Sequence, residues 1–514
     1  MSSAQVCIML AIAVYLSVMV AIGIYWSKKN ENVGDFYLGG RKLGPFVTAM
    51  SAEASDMSSW LLMGLPGVAY LCGIADPAWT AIGLAIGTYI NWLFVAKRIR
   101  IYTHEAQNSI TLPDFFSRRY KDDKNILMCI GAVVIIIFFI PYTASGFAAC
   151  GKLFSSLFGV SYHSAMIISA IVIVAYTATG GFSAASTTDL IQSIVMTIAL
   201  FVVVIFGIIV AGGLDTVMSN ARALPGYLSL TSMYSASANS ATPYGFLTIC
   251  STMAWGLGYF GMPHILLRFM AIEDTQKLTL SRRIATVWVV ISMTVAIFIG
   301  VVGYSVSKVG AVPVLEGSAS ETIIVQIANL LSQSNILTAL IAGVILAGIL
   351  AATMSTADSQ LLAASSSVSH NLLQTFFGIK MSEKKAMTVA RCSVVVISII
   401  AAFIARDPAS SVFAIVSFAW AGFGAAFGPV VLTALFWRRS NKQGALAGMV
   451  AGGAMVFLWK YFVRPMGGAW NIYELLPAFL VSFAAIIIVS LMTKAPEKEV
   501  TDVFDRVKMM CTGK

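Results

Sequence analysis

From Leu190 to Val210 the chain runs without a charged side chain, and runs of this kind recur along its whole length. A helix of about 20 residues crosses a hydrocarbon layer about 30 Å thick. Hydrocarbon offers no partner to a free backbone N–H or C=O, so segments crossing it must be helices or a closed barrel. Runs this long specify helices. Thirteen spans are expected, at about 6–26, 43–70, 76–96, 125–157, 162–181, 187–212, 245–270, 283–309, 335–373, 385–405, 410–437, 442–462 and 472–494. The fold class is therefore an all-α polytopic membrane protein. Only 11% of the 514 residues are charged and 58% are hydrophobic, whereas a soluble domain carries about 25% charge. That excludes a soluble enzyme, a disordered chain and a disulfide scaffold. The first span has no basic leader and is too long for a signal-peptide core, so it is read as a membrane span.

The net charge of +10 follows from orientation rather than from a nucleic-acid partner. With thirteen spans and the N-terminus outside, the inner segments hold 27 of the 33 lysines and arginines. That is a strong positive-inside bias and predicts an outer N-terminus and an inner C-terminus. The seven cysteines form no CxxC pair and the four histidines show no metal-ligand spacing, so no transition metal is expected. Residues 1–494 read as one transmembrane domain. It divides into a first helix and loop (1–42), a first repeat (43–212), a second repeat (245–437) and two last helices (442–494). The stretch 495–514 is a cytoplasmic tail too short to fold alone.

Three spans depart from the apolar pattern. The second holds Ser51, Glu53, Ser55, Asp56, Ser58 and Ser59, followed by Gly64, Pro66 and Gly67. The seventh holds Gly256, Gly258, Gly261 and Pro263, which makes an unbroken helix improbable. The ninth holds Thr353, Ser355, Thr356, Asp358 and Gln360. A carboxylate at the bilayer centre costs about 2.5–3.5 kcal/mol, so Glu53 and Asp56 require a wet cavity, a cation or a paired group. Spans two and seven each open a block of five, and the blocks enter the membrane from opposite sides. Interrupted helices at matching positions of inverted halves point to a secondary transporter with its site at the midplane. The carbonyls of Ala54, Met57 and Ala352 with the hydroxyls of Ser355 and Thr356 offer five neutral oxygens. Such a set suits a small monovalent cation better than a divalent one, which recruits carboxylates directly. Asp56 beside it offsets the ion's charge. Arg268 reads as an inner-leaflet anchor, and Asp358 with Gln360 as solvated or helix-bridging.

Long segments from about residue 20 to 495 resemble the sodium/solute symporter family, most closely its sodium/proline branch. They include Gly39–Pro45, Ala54–Ser58, Leu62–Gly67, Leu112–Phe116, Tyr142–Gly146, Trp255–Gly261 with Pro263 and His264, Met354–Thr356 and Ala419–Pro429. The resemblance implies a leucine-transporter-like core of two inverted five-helix repeats, helices 2–6 and 7–11, with flanking helices, in the cell membrane. It implies symport of proline with sodium, the coupling ion, and no catalysis. It places sodium on the same five oxygens, with Asp56 needed for affinity, and proline among Ser58, Trp255, Tyr259 and Pro263, with Tyr142 as a nearby gate. Arg41 and Asp189 would assist sodium release and gating. Glu53 and Ser59 stand where that branch usually has glycine, and Met262 where it usually has glutamine, all beside the substrate site. Another small amino acid or an amine, proton coupling through Glu53, and a transporter-like proline sensor remain open alternatives. A monomer suffices for the scheme, and no nucleic acid enters it.

Overall fold

A computed structural model describes residues 2–29 and 33–512. Among the described residues the regular structure is helical apart from one two-stranded hairpin, Ser232–Ser235 against Ser240–Pro243. Among the described residues ten helices are long and apolar enough to cross a membrane. They coincide with expected spans one, three, four, six and eight to thirteen. Of the other three expected spans, two and seven are interrupted helices and five runs on into six.

Span two is the helix Pro45–Ser59, a π-type segment Trp60–Gly64 and the helix Leu65–Cys72. Ser58 interrupts it at φ 48, ψ −172. Span seven is the helix Phe246–Met253, a 3-10 segment Ala254–Phe260 and the helix Pro263–Ala271. Pro263 opens its last helix, where a missing N–H costs nothing. Spans five and six are not separated by a loop. They form one helical stretch, Tyr162–Val210, bent at Gly181 with φ 68, a value that favours glycine. Span nine is polar but unbroken, α-helical over Ile336–Ser366 and π-type over Ser367–Phe376.

Spans nine and eleven are the most enclosed of the long helices, and spans one and twelve lie at the periphery. Spans three and seven touch backbone to backbone. A Cβ added at Gly83 or Gly87 would collide with the main chain of Met253 or Gly256. Glycine therefore sets that approach. The stretch 213–244, between expected spans six and seven, contains the helix Leu214–Arg222 and the hairpin. The tail carries a helix, Lys498–Thr512, whose Val500, Phe504 and Val507 are buried against the inner end of span three. It is ordered by docking, which supplies the apolar contact that so short a helix lacks alone.

Candidate functional site

The break at Ser58 follows directly from its backbone. A non-glycine residue at φ 48 is sterically unfavourable by about 1–2 kcal/mol, and here the Ser58 Oγ accepts the N–H of Trp60 at 3.0 Å. Just before this turn the Ala54 carbonyl faces span nine. Ser355 Oγ lies 2.8 Å from the Ala54 carbonyl and 3.2 Å from that of Ala352. Thr356 Oγ1 lies 3.1 Å from the Ala352 carbonyl. Four of the five oxygens expected as sodium ligands thus meet at one junction between a broken span and a continuous one. Met57, the fifth, is in the same turn, and its carbonyl accepts the Trp60 N–H. Ala352 sits in intact helix, so its carbonyl is not exposed by unwinding.

Asp56, in the same turn, is bonded to spans four and seven. Its Oδ2 accepts the Tyr259 hydroxyl at 2.5 Å, and its carbonyl accepts the Tyr142 hydroxyl at 3.3 Å. A cavity of about 10 Å³ adjoins it, lined by Asp56, Met57, Trp60, Leu84, Tyr142, Trp255, Val416 and Trp420. That is room for about one water molecule, so admitting an amino acid requires the walls to part. One wall is aromatic. The rings of Trp60 and Trp255 lie 5.5 Å apart, and Phe413 lies 6.0 and 5.6 Å from them. The Trp420 indole donates to the Trp255 carbonyl at 2.7 Å.

Of the residues expected around the substrate, Tyr142 and Trp255 line this cavity, and Tyr259 reaches it through Asp56. Ser58, Ser59, Pro263, Met262 and Glu53 are buried but are not in its lining. Glu53 instead accepts the Trp92 indole N–H at 3.0 Å through Oε1. Its Oε2 has no hydrogen-bond partner among the described residues. Trp60, Leu84, Val416 and Trp420 line the cavity without having been expected there. Trp420 had a signal in its place within the segment Ala419–Pro429, and in the structure a Cβ at Gly258 would collide with its indole.

Arg41 and Asp189, both expected to assist sodium release and gating, belong to separate networks. Arg41 donates to Asn108 Oδ1 at 2.8 Å, the Met270 carbonyl at 2.6 Å and the Ser109 carbonyl at 2.8 Å. It thereby ties the C-terminal end of span seven to the loop after span three. Burial, with Arg100 nearby, lowers its pKa to about 10, which leaves it charged at neutral pH. Asp189 Oδ2 accepts Ser51 Oγ at 2.6 Å and pairs with Arg268 at 3.1 Å. Arg268 also reaches Ser51, the His264 carbonyl and Ser359. It is 1% exposed, so it is a buried cross-brace between spans two, six, seven and nine and not a surface anchor. Asp358 and Gln360 are buried as well. Asp358 accepts Ser359 Oγ, and Gln360 accepts Thr143 Oγ1.

A family described as the sodium:solute symporter family matches residues 36–452. The sodium/proline symporter of Haemophilus influenzae is 41% identical over 503 residues, covering 97% of both chains. The high-affinity proline transporter PutP of Bacillus subtilis is 41% identical, covering 95% of this chain and 98% of its own. Among solved structures, a sodium-coupled sialic acid symporter in a substrate-bound outward-open state superposes with a TM-score of 0.77 at 16% identity. It covers 96% of this chain and 99% of that one. The closed, ligand-bound nucleobase-cation symporter Mhp1 superposes with a TM-score of 0.55 at 14% identity, over 91% and 98% of the two chains. These two likenesses establish the leucine-transporter-like fold.

Proposed function

This chain belongs to the sodium:solute symporter family, and from that premise we propose that it imports L-proline together with sodium across the cell membrane by alternating access. Relatives named as proline transporters match it at about 40% identity over nearly its whole length. The observation that carries the site assignment is the junction of Ala54, Ala352, Ser355 and Thr356 beside Asp56. Sodium held there, with the Met57 carbonyl, replaces weak hydroxyl–carbonyl contacts by ion–dipole contacts and fastens span two to span nine. The break at Ser58 is then fixed in place, and the wall of the neighbouring cavity with it. Proline is a zwitterion with an apolar ring. The faces of Trp60, Trp255 and Trp420 suit the ring, and the Tyr142 and Tyr259 hydroxyls and the free backbone of spans two and seven suit the charged end. Glu53 does not line the cavity, which favours a zwitterion over a cationic amine.

The spans divide into inverted blocks, two to six and seven to eleven, with the N-terminus outside and the C-terminus inside. A monomer contains the whole site, no catalytic step is involved, and no nucleic acid takes part. Each sodium that enters gains about 2.3 kcal/mol per 100 mV of membrane potential, which drives accumulation. Arg41 and the Asp189–Arg268 brace hold the inner ends of spans two, six, seven and nine, and act on inward opening. Labelled-proline uptake into proteoliposomes tests the reading. A sodium gradient should drive accumulation above the outside concentration in the native protein, and Asp56→Asn should shift the sodium stimulation to at least about tenfold higher sodium. Uptake indifferent to sodium in the native protein would refute it.

A further inference from the structure

The C-terminal helix Lys498–Thr512 does more than fill the inner face. Its buried side chains, Val500, Phe504 and Val507, hold it against the inner extension of span three. The Phe504 ring is gripped by the guanidinium groups of Arg98, at 5.3 Å, and Arg119, at 5.4 Å. Arg98 also covers Phe436, the last residue of span eleven, at 4.9 Å. Ion pairs extend the attachment to three inner segments. Arg438, just past span eleven, makes a forked pair with Asp505 at 2.9–3.0 Å. Lys121, beyond the short helix Leu112–Arg119, meets Glu499 at 2.6 Å and Glu497 at 3.1 Å. Arg506 meets Glu105 at 3.4 Å. One small helix therefore joins the inner ends of spans three and eleven, which lie in different five-span blocks of the proposed transport cycle.

We infer that this helix is a releasable strap across the inner gate, set by the ionic strength of the cytoplasm. The inference rests on the transport reading above. Alternating access needs the inner ends of the two blocks to separate, and a helix bonded to both resists that separation. The apolar anchor is insensitive to salt, but the ion pairs are not. Lys121, Glu497, Glu499, Arg438 and Asp505 are all exposed, and exposed pairs are weak individually and screened by salt. Low ionic strength keeps the strap docked and slows inward opening. High ionic strength loosens it and speeds the cycle.

The test uses the full-length protein, oriented with its inner face in the lumen of liposomes at constant sodium gradient. Lumenal KCl is raised from about 50 to about 500 mM, which shortens the screening length from roughly 14 to roughly 4 Å. Two readouts are followed: initial proline uptake, and maleimide labelling of the native Cys511 thiol by peptide mass. Cys511 packs against the core, and its carbonyl accepts Lys97 Nζ at 2.9 Å. The native protein should show about a threefold rise in uptake with a parallel rise in labelling. Glu499→Gln/Asp505→Asn should be fast and readily labelled at every salt concentration. Salt-independent labelling in the native protein overturns the strap. So does the same salt response of uptake in native and variant protein. Absence of any sodium-driven uptake overturns the transport reading instead, and labelling still reports whether the helix undocks.

Discussion

Asp56 and Glu53 lie one helical turn apart and differ in surroundings. Asp56 takes a tyrosine hydroxyl and borders the cavity, whereas Glu53 takes an indole N–H from Trp92 and lies away from it. Substitution should separate them. Asp56→Asn should raise the sodium concentration for half-maximal uptake at least about tenfold, about 1.4 kcal/mol, read from initial rates against sodium. Glu53→Gln keeps an acceptor for Trp92 and should leave thermal stability nearly unchanged. Glu53→Leu strands that indole N–H in a buried site and should cost about 1–3 kcal/mol, read by thermal unfolding in detergent. The pair itself was legible in the sequence, because two carboxylates in an apolar run demand an explanation. Which of them faces the cavity was not, since that depends on the partner each finds on another span.

At the scale of elements, broken helices are held in place by contacts that leave little slack. Spans three and seven approach so closely that Gly83, Gly87 and Gly256 admit no side chain. Gly256→Ala should therefore destabilise the protein by about 1–3 kcal/mol through overpacking, lowering the unfolding temperature and uptake together. The Arg268–Asp189 pair braces spans seven and six, fully out of solvent. Arg268→Met leaves Asp189 without its cation and should cost about 3–5 kcal/mol. The double variant Arg268→Met/Asp189→Leu should recover part of that loss, measured by the same unfolding curves. The breaks in spans two and seven were readable from serine, glycine and proline content. The continuity of span nine and the bend joining spans five and six were not, because the local composition permits either outcome and tertiary packing selects one. Arg268 shows the same limit. A basic residue near a span end ordinarily marks the inner leaflet, and only the presence of Asp189, 79 positions earlier, draws it inside.

At the scale of the whole molecule, sodium is a ligand that should favour the folded, fastened state. Its binding stabilises by mass action, about 2.7 kcal/mol at a hundred times its dissociation constant. Sodium, but not potassium, should raise the unfolding temperature of the native protein, and neither should do so for Asp56→Asn. A sodium shift that persists in that variant would place the ion elsewhere. The sequence by itself determined that this chain lives in a membrane, that most of its basic residues fall in alternate connecting segments, and that two of its helices break at matching places. Those features are local and additive: run length, charge count and the conformational limits of proline and glycine. The tertiary structure alone decided that Trp60 and Trp420 join the expected residues in walling the cavity, that Arg268 braces four spans, and that the charged tail folds back against span three. Each of those depends on distances between residues far apart in the chain, and such distances are set by how the helices pack rather than by any segment's own preference.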